Sequence, residues 1–203
     1  MKKLLGIVGV VLFVFASCAS GGGAPKVQRV DASTQTDLSG YWNDTDVRIV
    51  CKSLLDDCLN SPRVDAAIKA KRKTPMVIVG RFKNDSSEHI DTTIISTIME
   101  QTIFNSGKLD FVAGGSTRDE LRKERQDQQS NASEATAKAL ANETGADFML
   151  TGSVKAMVDK AGNQTVRTYF VTAEMTNIEN NQRMWIGQNS DIKKIIVQAK
   201  NKL

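Results

Sequence analysis

The first eighteen residues constrain this chain more than any other stretch. Met1-Lys2-Lys3 sets two positive charges ahead of an apolar run from Leu4 to Phe15, and Phe15-Ala16-Ser17-Cys18 closes the run with small residues. A basic start, an apolar stretch of about a dozen residues and a small-residue cut site are the parts of a secretory signal peptide. A bilayer span needs about 20 apolar residues, so this run is too short to cross comfortably. The expectation is a chain that is exported and folds outside the cytoplasm.

Cys18, directly after Ala16-Ser17, resembles the cysteine of a bacterial lipobox. In such signals the sulfur receives a diacylglycerol, the peptide is cut before the cysteine, and the new amino group is acylated. Each buried methylene of an acyl chain contributes about 0.8 kcal/mol, and more than one chain anchors stably. An ordinary signal peptide with a chance cysteine is the plainer alternative, but position, flanking residues and apolar run agree on lipidation. The expected division is 1–17 signal peptide, 18–36 flexible tether and 37–203 one globular domain. Cutting removes Lys2 and Lys3, leaving 25 basic against 23 acidic residues, a net charge of +2. That is too small to indicate a nucleic-acid partner.

Ala19-Ser20-Gly21-Gly22-Gly23-Ala24-Pro25 begins a segment with little to bury. As a random coil of about 18 residues it reaches roughly 20–25 Å. The domain that follows is of ordinary size for a single core, at about 165 residues. Aromatics are only 5% of the chain, so the core must rest on Ile, Val, Leu, Met and Ala. Besides Cys18 there are two cysteines, Cys51 and Cys58. An oxidising compartment suggests a disulfide. Seven residues of helix, however, separate them by about 10.5 Å along the axis, whereas a disulfide wants Cα atoms under about 7 Å apart. Two buried free thiols are the favoured reading, with a bond between molecules as its rival.

Val47, Val50, Cys51, Leu54, Leu55, Cys58 and Leu59 form one stripe of an amphipathic helix. Asp44 or Thr45 can cap it and Pro62 stops it. Tyr41 and Trp42 are expected to pack as a lid at its start, in preference to a carbohydrate-stacking role. Pro75 to Phe82 is nearly all apolar and reads as a central strand. Asp85 and Glu88 offer a capping box for a helix carrying Ile90, Ile94, Ile95, Ile98, Met99 and Ile103, which Gly107 ends. Leu109 to Ala113 reads as a short strand. Ser116 to Ser130 holds one apolar residue, Leu121, and reads as a solvated helix or a partner-binding arm, the former favoured. Glu134 to Glu143 is alanine-rich and helical. Phe148–Val158, Val166–Thr176 and Arg183–Gln188 alternate at period two, an antiparallel meander turning at Asp159–Asn163 and at Asn180-Asn181. Asp191 to Leu203 reads as an amphipathic tail with Ile192, Ile195 and Ile196 on one side. The fold class is α/β: an α+β sandwich with a mixed sheet and helices on its faces.

A search for chemistry is mostly negative. There is no Gly-x-Ser-x-Gly, Ser-x-x-Lys, phosphate loop or HExxH. His89 is the one histidine and sits where a surface residue is expected; no CxxC pair accompanies it, so neither a metal nor a cofactor is expected. Gly114-Gly115-Ser116 before a helix can hold an anion, though a βα turn accounts for it. A binding protein is favoured over a catalyst.

Asp37-Leu38-Ser39-Gly40-Tyr41-Trp42-Asn43-Asp44-Thr45-Asp46, Val77-Ile78-Val79-Gly80-Arg81-Phe82-Lys83-Asn84 and Gly145-Ala146-Asp147-Phe148-Met149-Leu150-Thr151-Gly152 together resemble LpoB-type lipoproteins, the penicillin-binding protein activators. The resemblance covers residues 37 to about 196. It implies a domain similar to the TolB N-terminal domain, held by its lipid on the periplasmic face of the outer membrane. It further implies docking on a small accessory domain of a bifunctional peptidoglycan synthase, whose glycosyltransferase and transpeptidase activities are stimulated. No contact residue is carried over. The best-known relatives have a long disordered tether; the short one here requires a membrane-proximal partner or a different membrane. The leading reading is a monomeric, non-catalytic activator of a penicillin-binding protein, joined to the membrane through Cys18. The alternative is a surface or secretion-related lipoprotein sharing the fold, an oligomeric or adhesive binding module. An enzyme on peptidoglycan is disfavoured by the missing acid–base pair.

Overall fold

A computed structural model of the protein describes residues 27–31, 33–71, 73–130 and 145–198. Residues 27–31 have no regular secondary structure; everything discussed below belongs to the unit that begins at Ser33. The expected helix Glu134 to Glu143, like the expected signal peptide, Cys18 and the first part of the expected tether, lies outside the described residues.

Helix α1 (Asp44–Leu59) buries the predicted stripe of Val47, Val50, Cys51, Leu54, Leu55, Cys58 and Leu59. Its cap is neither Asp44 nor Thr45 but Asn43. The Asn43 side chain accepts from the Asp46 amide at 3.1 Å, and the Asp46 carboxylate accepts from the Asn43 amide at 2.9 Å, a reciprocal box. Asn43 also donates to Asp37 at 2.8 Å. Asn43→Ala is expected to cost about 1 kcal/mol and to lower Tm by about 2–4 °C, readable in a thermal melt.

Pro62 follows α1 as foreseen, but it also opens a second helix, α2 (Pro62–Ala70), at the first turn. There its missing N–H is no loss and its fixed φ suits the helix. Strand β1 (Met76–Asn84) leads through a loop to α3 (Thr92–Ser106), whose cap is Asp91, accepting from the Thr93 amide at 3.0 Å. Asp85 and Glu88 do not cap it. Ile95, Met99 and Ile103 are its buried stripe, whereas Ile94 is half exposed. Gly107 closes α3 at φ +65°. The next strand, β2, is only Asp110–Phe111, shorter than the five residues expected. The polar helix α4 (Gly115–Ser130) follows.

The remaining strands are β3 (Phe148–Ala161), β4 (Gln164–Asn177), β5 (Arg183–Asn189) and β6 (Lys193–Val197). The sheet order is β2-β1-β3-β4-β5, with β6 beside β4 as well. β1 runs parallel to β2 and β3, while β3, β4, β5 and β6 pair antiparallel. The mixed sheet and C-terminal meander are therefore as predicted. Asn181 turns the chain at φ +58°. The tail is a correction: its isoleucines do not share a side. Pairing with Gln164–Thr168 of β4 makes it a strand, so Ile195 and Ile196 face opposite ways. The half of β4 beyond β5 would otherwise leave its backbone groups unpaired.

Helices α1 and α3 cover one face of the sheet over a single core that includes Phe82, Phe148, Leu150, Tyr169, Val171 and Met175. Two long-range bonds tie α1 to the last strands: Trp185 Nε1 donates to Asp57 at 2.8 Å, and Asn189 Nδ2 to Ser53 Oγ at 3.2 Å. Cys51 and Cys58 are free and buried. Burial pushes both thiols up to about 12, Asp57 adding to the effect at Cys58. Both are expected to resist a water-soluble disulfide reagent at pH 8 in the folded protein and to react fully in denaturant.

Candidate functional site: the outer sheet face and its buried hub

Gly80 sits inside β1, where a glycine weakens a strand unless the geometry needs it. The pairing explains it. Val79 stands opposite Leu150 and Phe82 opposite Gly152, so β1 spends one residue more than β3 over that stretch. This is a β-bulge. It returns Phe82 to the core and leaves Arg81 exposed. A Cβ on Gly80 would lie 2.8 Å from Thr151 Cγ2.

The bulge shapes the face of the sheet opposite α1 and α3. Gly80, Arg81 and Lys83 of β1, Met149, Thr151 and Ser153 of β3, Thr172 and Glu174 of β4 and Ile186 of β5 line a shallow cleft of about 730 Å³. Met149 and Ile186 are its exposed apolar floor. The Ser153 and Thr172 hydroxyls bond each other at 3.1 Å, and Glu174 is paired with Arg183 at 2.8 Å. An apolar floor with charges of both signs at its rim suits a protein side chain better than it suits bond-breaking.

Behind this sheet lies a polar hub. Glu88 accepts from the Trp42 amide at 3.2 Å and from the Tyr169 hydroxyl at 2.8 Å, and Arg167 Nη1 lies 3.4 Å from it. The two charged side chains are only 8% and 13% exposed. Burial, and then the Glu88 carboxylate, raise the Tyr169 phenol above the ordinary tyrosine range. Among the described residues Arg167 Nε and Nη1 have no hydrogen-bond acceptor; the Tyr41 ring lies 3.8 Å from the guanidinium carbon, a cation–π contact. Trp42 meets Tyr169 edge-on at 5.2 Å. Trp42 thus packs at the helix start, as expected, while Tyr41 covers Arg167 and remains 54% exposed. Lys194 of β6 completes the hub, bonding Asp46 at 2.7 Å, Asp37 at 2.9 Å and the Tyr41 carbonyl at 2.9 Å.

The other candidates are plainly placed. His89 is exposed. Gly114 directly precedes α4 in a βα turn, where a Cβ would meet Ile78 at 3.5 Å. Among the described residues no group of three His, Cys, Asp or Glu is placed to hold a metal, and no helix is long and apolar enough to cross a membrane. The cleft and hub had partial signals in the sequence: Gly80 within an apolar strand for the bulge, and Tyr41-Trp42 for the lid. Glu88 had no such signal for its buried role.

A family model described as peptidoglycan-synthase activator LpoB matches residues 46–190. Among solved structures, the LpoB C-terminal domain from Escherichia coli is similar at 13% identity, covering 75% of this chain and 99% of that one with a TM-score of 0.40. Lipoprotein GNA1162 from Neisseria meningitidis is similar at 14% identity, covering 64% and 86% with a TM-score of 0.31. The PelC dodecamer from Paraburkholderia phytofirmans is similar at 16% identity, covering 58% and 72% with a TM-score of 0.33. No curated protein matches the chain significantly.

Proposed function

The chain belongs to the family of the peptidoglycan-synthase activator LpoB, and from that premise we propose that it binds and activates a bifunctional penicillin-binding protein without catalysing a reaction itself. The observation that carries this reading is the family match over residues 46–190, which spans every element from α1 to β5. Activation by binding requires only that the domain prefer the synthase's active state. The outer sheet face around the β1 bulge is the surface we assign to that contact. Cys18 is the proposed lipid attachment site, with 1–17 the signal peptide, 18–36 the tether and 37–203 the activator domain. The anchor is assigned to the outer membrane, with the domain on its periplasmic face.

The test is glycan-strand polymerisation by the organism's bifunctional penicillin-binding proteins, with and without the full lipidated chain in micelles. A several-fold rise for one synthase names the partner. No change for any synthase, and no binding to any, overturns the reading.

A further inference from the structure

The sheet ends in an arm. β1 stops pairing with β3 at Val154, and β5 stops pairing with β4 at Val171. Beyond those points only β3, β4 and β6 continue, as three paired strands. Tyr169 is buried on the hub side, Arg167 reaches Glu88 and Lys194 reaches Asp46, so the alternate residues face outward. One outward cross-strand row is Met157, Thr168 and Lys193; the next is Asp159, Val166 and Ile195; the tip is Ala161, Gln164 and Val197. Met157, Ile195 and Val197 are 63%, 64% and 59% exposed.

We infer that this outward face of the β3–β4–β6 arm is a membrane-contact surface, which lays Met157, Ile195 and Val197 against an anionic lipid bilayer. Three observations choose a bilayer as the occupant. First, the apolar side chains stand between exposed Lys155 and Lys193, with Asp159 as the acid of that face. Aliphatic side chains enter the headgroup boundary while lysines reach anionic headgroups. Second, the sequence after Gln198, Ala199-Lys200-Asn201-Lys202-Leu203, carries two more lysines and no acidic side chain. Third, Asp37 is bonded to Lys194 of β6 and lies 19 residues from Cys18. Treated as a random coil, a segment of that length has a reach of about 20–25 Å, short enough to bring β6 within reach of the bilayer that would hold Cys18. This third point rests on the lipid-anchor reading given above.

The experiment is amide hydrogen exchange on the full lipidated chain, in detergent micelles and in vesicles with and without phosphatidylglycerol. Flotation of the vesicles first establishes anchoring. In vesicles containing phosphatidylglycerol, residues 155–168 and 193–197 are expected to exchange about fivefold more slowly than in micelles, with less slowing in uncharged vesicles. The exposed-site pair Met157→Asp and Ile195→Asp is expected to abolish the slowing while the chain still floats and melts normally. Equal rates in micelles and vesicles for a floating chain overturn the inference and leave the anchor intact. Slowing that follows protein density and ignores lipid charge also overturns it, in favour of a second copy on this face. A chain that does not float overturns the anchor reading and this inference together.

Discussion

Replacing Glu88 by alanine is expected to destabilise the domain by about 3–5 kcal/mol, because it strands the Arg167 cation in a site that excludes water. Arg167 is 13% exposed, and two of its nitrogens already lack an acceptor among the described residues. The Tyr41 ring face cannot replace a full negative charge. The same substitution removes the acceptor of the Trp42 amide and the nearer acceptor of the Tyr169 hydroxyl, which keeps the Gly40 carbonyl at 3.3 Å, so the lid over the start of α1 loosens too. Urea unfolding is the measurement, with a lower midpoint at unchanged slope. The double variant Glu88→Ala with Arg167→Met is expected to recover most of the loss, since it removes the stranded charge and leaves an apolar body in its place. If the double variant is as unstable as Glu88→Ala alone, the cost lies in the two lost hydrogen bonds and not in the charge.

Gly152→Ala is expected to cost about 2–3 kcal/mol, at the upper end of what overpacking a core does. A Cβ there would stand 2.3 Å from Phe82 Cε1 and 2.4 Å from the Thr172 carbonyl oxygen. The ring can shift, but the carbonyl belongs to the neighbouring strand and is held by the β3–β4 ladder. Phe82→Leu added to Gly152→Ala therefore relieves only part of the clash. Full recovery in the double variant would show that the ring alone sets the limit. Chemical denaturation of the two single variants and the double closes the cycle.

Much of the architecture was legible because it is periodic. The stripe from Val47 to Leu59 repeats as a helix must, and the alternation through Phe148–Val158 and Val166–Thr176 repeats as a strand must. The errors lie where a residue's partner is distant in sequence. Glu88 three residues after Asp85 looks like a local cap, yet its partners are Trp42, Tyr169 and Arg167, and no local pattern reveals them. Ile192, Ile195 and Ile196 fit a helical side as well as they fit a strand; what decides is the unpaired half of β4. Pro62 ends one helix and begins the next, and its ring signals the stop more plainly than the start. At the candidate site, Gly80 carried a readable signal for a bulge, while the face it shapes is assembled from four strands spread over more than a hundred residues.

The bonds from Trp185 to Asp57 and from Asn189 to Ser53 join the first helix to the last third of the chain. A polypeptide emerging N-terminus first presents the apolar stripe of α1 long before the strands that cover it arrive. Contacts so far apart in sequence close slowly, and until they close the stripe stays available to other chains. Until the last strands arrive the fold cannot complete itself. It also means that a version cut short after β4 would be a sticky fragment rather than a smaller domain.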